Sequence, residues 1–156
     1  RPMSIDNTPE QEYQVISGPS ARRAAKMLDY GNIISMLVAI VPGILWLVSD
    51  NFLYLILAIP PLILWFGFSM LIYAIHRHHP NPDVGHHIQW AAYWYYGLIS
   101  PVVAVGIFIP KSYAGQIISI SFSIVALILI VRSLIDIRRI NRKEWKDTMV
   151  KKGQHV

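Results

Sequence analysis

Five histidines and an aspartate crowd into one short stretch of the chain. His76, His78, His79, Asp83, His86 and His87 lie within twelve residues. Neutral imidazole is the commonest nitrogen ligand of transition metals, and His76 and His79, three apart, would share one face of a helix end. The six side chains are therefore candidate ligands for a transition metal. The competing reading is a polar, weakly cationic loop at a membrane surface. Membrane di-iron oxygenases and desaturases also use histidine clusters, but several of them over a longer chain, and this sequence has one. Cysteine is absent, which excludes thiolate catalysis, disulfides and Cys-based metal or iron–sulfur sites. Haem held between helices needs a histidine within an apolar segment, and none lies there. No cofactor other than a metal ion is expected.

Three further patterns bear on chemistry. Pro42, Pro60, Pro61 and Pro101 fall inside apolar segments, where proline withholds a backbone donor. Broken helices of this kind line ion sites in transporters, but proline is also ordinary in membrane helices, where it serves packing. The adjacent pair predicts a kink or local unwinding at Pro60-Pro61. No Asp, Glu, Lys, Arg or His lies well inside an apolar segment, which argues against proton-coupled transport and voltage sensing. Gly115, Ser119 and Ser123 recur every four residues. That spacing makes a narrow face for close helix packing, within the chain or between copies. The run Tyr93-Trp94-Tyr95-Tyr96 points around a helix rather than to one side of it, so it reads as interfacial anchoring and packing.

The elements that must position these residues are apolar helices. The chain has 156 residues, 54% of them hydrophobic and 15% charged, against roughly 25% charged in an ordinary soluble domain. Between Gly31 and Val131 the charged residues are Asp50, Arg77, Asp83 and Lys111 alone. Four apolar segments, 31–48, 52–75, 88–109 and 114–131, are each about as long as a helix needs to cross the roughly 30 Å hydrocarbon core. The expected fold is an all-α membrane protein with four transmembrane helices. Residues 1–20 read as a flexible polar tail, with Ser17-Gly-Pro-Ser20 as a breaker and Ser20 as the helix N-cap. Residues 21–147 form the membrane domain, and 148–156 a frayed tail. The N-terminal stretch lacks the basic start and apolar centre of a cleavable signal.

Beyond Val131 the helical spacing of Leu134, Ile135, Ile137 and Ile140 continues among Arg132, Asp136, Arg138, Arg139 and Arg142. The fourth helix is expected to extend out of the membrane toward Trp145, with an Arg132–Asp136 contact along it. Thirteen of the fourteen Lys and Arg fall in the two tails and the central loop, and Lys111 alone in the other turns. The positive-inside rule then puts both termini in the cytoplasm of a bacterial inner membrane. The net charge of +5 is accounted for by topology and anionic headgroups, so nucleic acid is not an expected partner.

From Pro82 the chain reads Pro-Asp-Val-Gly-His-His-Ile-Gln-Trp-Ala-Ala-Tyr-Trp-Tyr-Tyr-Gly. Pro82, Val84, His87, Trp90, Ala91 and Trp94 in this order resemble the Tic-twenty-like group, which comprises a chloroplast import-channel component and many small bacterial membrane proteins. The basic end of the fourth segment, Arg132 to Arg139, is also similar to the bacterial members. The resemblance implies a multi-pass membrane fold and no particular activity. Three functions follow as expectations. One is a non-enzymatic membrane protein that binds another protein, as an accessory subunit, assembly factor or immunity-type protein. The second is a small oligomeric channel or transporter, and the third is a metal-binding protein using the histidine loop.

Overall fold

The computed structural model describes residues 12–108 and 110–151, and the parts of the two expected tails at 1–11 and 152–156 lie outside them. The chain order is β1 (Tyr13–Ile16), α1 (Gly18–Ser49), α2 (Phe52–His76), α3 (Pro82–Phe108), α4 (Lys111–Arg142) and β2 (Thr148–Lys151). All four helices are long and apolar enough to cross a membrane. At 1.5 Å per residue the 32-residue α1 is about 48 Å long. That exceeds the hydrocarbon thickness by several turns, so the basic segment around Arg22, Arg23 and Lys26 projects past the apolar one.

Helix α1 begins three residues earlier than expected. Ser17, not Ser20, is the N-cap, its Oγ accepting from the Ser20 backbone N–H at 3.4 Å. Pro19 does not break the helix, because the first helical turn has no intrahelical use for its missing N–H. The turn to α2 is tight. Asp50 adopts the left-handed conformation (φ 51°) and its N–H closes on Trp46 O, while Asn51 caps α2 by accepting from Leu53 N–H. Helix α2 runs through Pro60 and Pro61 without the expected unwinding. The two prolines still have no N–H to give the carbonyls of Ile56 and Leu57.

The tails need the larger correction. Tyr13–Ile16 is a strand rather than flexible chain, paired antiparallel with Thr148–Lys151 so that Tyr13 faces Lys151 and Ile16 faces Thr148. Both segments contain β-favouring residues, but two strands of four need support from the rest of the protein. Helix α4 continues past Val131 as expected, yet stops at Arg142. Lys143 is extended, and Trp145 folds back so that its indole N–H donates to Ile140 O at 2.9 Å. Asp147 then caps the start of α1 by accepting from Gly18 N–H at 2.7 Å. A Cβ on Gly18 would come within 2.1 Å of Trp145 O, so this approach requires glycine.

Two buried clusters form the core. One joins Ala21, Ala25 and Leu28 of α1 to Val84, Ile88, Ala91 and Ala92 of α3 and Ile140 of α4. The other joins Met36, Tyr95, Ile99, Ala126 and Leu129 of the same three helices. Helix α2 adds only partly buried side chains to them, Leu62, Trp65, Ile72 and Tyr73. It is pinned by two polar contacts. Asn32 of α1 accepts from Trp65 Nε1–H at 2.9 Å and donates to Ala91 O of α3 at 3.3 Å, and Ser69 shares a 2.7 Å hydrogen bond with Tyr96 of α3.

Gly31, beside Asn32, lies flat against the Trp65 ring, whose nearest atom would be 1.8 Å from an added Cβ, whereas a Cβ on Gly43 would meet nothing within 4 Å. Gly31→Ala is expected to destabilise the bundle by about 1–3 kcal/mol through overpacking. Gly43→Ala should be neutral or stabilising by up to about 1 kcal/mol. Unfolding of the two variants in detergent measures the difference, and equal midpoints would contradict the Gly31–Trp65 packing.

Candidate functional site

The polar residues converge at the end of the bundle that carries the tails. Helix α3 starts there at Pro82, directed by the loop: Asn81 Oδ1 accepts from Asp83 N–H at 3.0 Å. Three residues further, Gly85 lets α3 pass close to the end of α2, since a Cβ there would meet Arg77 O at 2.8 Å. This places His87 toward α4, where its Nδ1–H donates to the Asp136 carboxylate, 2.9 Å from Oδ2 and 3.1 Å from Oδ1. Each side chain is only 14% exposed. The expected Arg132–Asp136 pair is thus replaced by an inter-helix one. The Arg132 guanidinium instead lies over the Trp94 ring at 5.1 Å while remaining in the electrostatic neighbourhood of Asp136.

Asp29 of α1 completes the group. It is 2% exposed, and Asp136, Ser133 and Arg132 are its electrostatic neighbours. Its Oδ2 is buried without a hydrogen-bond partner. These residues, with Trp90, Ala91 and Trp94, line a cavity of about 10 Å³, about the space one water needs. The group holds two carboxylates, one guanidinium and one imidazole, so it is neutral when it carries one further proton. Ser133 is buried, and no hydrogen bond joins it to His87 among the described residues.

The six candidate metal ligands do not come together. Among the described residues no three His, Asp or Glu side chains form a group able to hold a metal ion. Their side chains meet different neighbours and come together at most in pairs. His76 Nδ1–H donates to Ile72 O one turn back, and its ring stacks on that of His79 at 6.5 Å. His79 Nδ1 accepts from Asn81 N–H. Burial pushes the His79 pKa below the ordinary histidine value, and His76 beside it adds to the effect. His78 is exposed. Asp83 pairs with Lys143 at 2.6 Å. His86 lies edge-on to Trp90, and His87 belongs to Asp136.

The small-residue face of α4 turns toward the other helices. A Cβ on Gly115 would meet the Trp46 ring of α1 at 2.5 Å, and Ser123 Oγ–H donates to Ser119 O within α4. Ser119 lines an apolar cavity of about 280 Å³ that takes residues from all four helices, among them Ala39, Ala58, Leu62, Ile99 and Phe122.

Asp29 lies just before the apolar segment 31–48 and was not singled out from the sequence. The available signal was spacing: Ala21, Ala25, Leu28, Asn32, Ser35 and Met36 place Asp29 on the inward stripe. Asp136→Asn should weaken the acceptor for His87 and destabilise the fold by about 1–3 kcal/mol, less than for a fully buried pair. Asp29→Asn keeps the shape, removes a charge beside Asp136, and should change stability by less than about 1 kcal/mol. Detergent unfolding of the two variants checks the contrast, and a costlier Asp29→Asn would contradict it.

No family model matches the chain, and neither does any curated protein or any solved structure.

Proposed function

We propose that this is a non-enzymatic integral membrane protein that acts by binding another membrane protein through α2, as an accessory subunit, assembly factor or immunity-type protein. The observation that carries the reading is the state of α2. Of its most apolar stretch 12% is buried, against 17% for α3 and 22% for α1 and α4. Pro60 and Pro61 withhold donors from two carbonyls in that helix, whose apolar stretch is the least buried of the four. Carbonyls without donors are expensive in hydrocarbon, and a neighbouring helix with hydroxyl or amide side chains relieves them. Lipid tails cover apolar side chains equally well but offer no donor.

The reading includes an orientation. Among the described residues eleven Lys and Arg share the bundle end that carries β1, β2 and the loop after α2, against Lys111 at the other end. Both termini are accordingly assigned to the cytoplasm of a bacterial inner membrane. Kinship with the Tic-twenty-like group is part of the same proposal. Of the residues that carry the resemblance, Val84 and Ala91 are buried in α3, and His87 holds Asp136. The second reading, an oligomeric channel or transporter, draws on the buried Asp29 set, which supplies the ionisable groups that the apolar segments lack.

The chain has no cysteine, so single cysteines report sidedness cleanly. Ser49→Cys, at the exposed C-terminal end of α1, is expected to react with an impermeant thiol reagent on intact cells, and His78→Cys only after lysis. The opposite pattern would overturn the orientation.

The partner is tested with a photo-crosslinking residue at Leu57, which is 50% exposed, and for comparison at Leu127 on α4, which is 62% exposed. A discrete adduct with a different protein from Leu57 and none from Leu127 is expected in native membranes. A homodimer adduct would favour the channel reading, and lipid adducts alone at both sites would sink the proposal.

A further inference from the structure

We propose that the groove between the start of α1 and the end of α4 binds the phosphate of an anionic lipid headgroup. Arg22 and Lys26 are one helical turn apart and converge on a single neutral acceptor. Arg22 Nε–H and Nη2–H donate to Asn141 Oδ1 at 3.2 and 3.0 Å, and Lys26 Nζ donates to the same oxygen at 3.1 Å. Ion pairs at this end of the bundle include His87–Asp136 and Lys143–Asp83. Neither pair involves Arg22, Arg23 or Lys26. An amide oxygen orients the two donor groups but itself brings no negative charge, which is how a site for a dianionic or monoanionic oxygen ligand is preorganised.

The space for that ligand is present. Arg22, Arg23, Lys26, Lys143, Glu144 and Trp145 line, with Pro19, a groove of about 400 Å³. Glu144 is the one carboxylate in this lining. The nearby Asp147 is occupied at Gly18 N–H, and Asp83 at Lys143. Phosphate on a free metabolite and phosphate on a lipid share the same chemistry here, but the face continues into apolar surface. Arg22, Lys26, Tyr30 and Ile34 follow one another at four-residue spacing along α1, and Lys26 Nζ sits 5.8 Å from the Tyr30 ring centre. Tyr30 and Ile34 are exposed, as is Leu134, two turns before Asn141 on α4. From Lys26 to Ile34 the rise is about 12 Å, so a headgroup seated on the cations would lay its acyl chains on this stripe. A free phosphate would leave the stripe unused.

The test uses the full chain, purified in neutral detergent and offered phosphatidylglycerol, phosphatidylcholine or glycerol 3-phosphate, with bound ligand read by native mass spectrometry. Phosphatidylglycerol is expected to be retained at least about tenfold better than phosphatidylcholine. Asn141→Asp is the sharpest variant: Asn141 is exposed, the change is isosteric, and it puts a carboxylate where the two cations already converge. It should reduce phosphatidylglycerol retention by about tenfold or more while the protein stays folded. Arg138→Ala with Arg139→Ala removes two charges from the same bundle end outside the groove and should change retention by less than about twofold. Full retention by folded Asn141→Asp, or equal loss in the Arg138/Arg139 variant, would overturn the site. Displacement of the lipid by equimolar glycerol 3-phosphate would overturn the lipid assignment in favour of a free phosphate.

Discussion

The amide of Asn32 is the contact on which the arrangement of the helices depends. It is 1% exposed, and its two ends serve two different helices: the oxygen holds Trp65 of α2 and the nitrogen holds Ala91 O of α3. Apolar packing alone specifies helix rotation poorly where lipid is as apolar as leucine, so polar contacts and small residues set the register. Such bonds contribute on average about 0.6 kcal/mol and at most about 1.7 kcal/mol. The value of Asn32 is therefore geometric more than energetic. It rotates α1 so that Gly31 receives the Trp65 ring, and that ring bridges both halves of the core.

At the end of the bundle that carries the tails the charges play an analogous part. His87–Asp136 joins α3 to α4, Asp83–Lys143 joins the first turn of α3 to the end of α4, and Asp147 returns to the start of α1. Together with the β1–β2 pair, these contacts close the end at which four helices meet. The far end has no comparable set of ties among the described residues. There the apolar cavity leaves space and α2 leaves most of its apolar surface uncovered, and the function proposed for α2 follows from that asymmetry. The two binding proposals use opposite properties of one molecule, an apolar helix short of donors and a basic groove short of anions.

Much of this was legible from composition and spacing. Four apolar stretches flanked by charge admit few folds other than four helices, because a backbone in hydrocarbon must satisfy its own hydrogen bonds. The helix-spaced run after Val131 likewise announced the extension of α4. The candidate sites were less legible. A histidine cluster in sequence is a set of side chains that helix geometry scatters: His86 and His87 are neighbours in the chain yet point to Trp90 and Asp136. The group that does assemble, Asp29, His87, Arg132, Ser133 and Asp136, comes from three helices and has no local signature.

The sequence by itself determined the number of long helices, their approximate extents and the end at which charge accumulates, since these follow from hydropathy and from turn residues read locally. Tertiary structure alone decided where the chain stops being helical and which polar groups meet. No glycine or proline interrupts residues 126–147, and local propensity would carry α4 to Asp147. It ends at Arg142 because Trp145, Asp147 and β2 have partners at the start of α1 that only the folded bundle brings within reach.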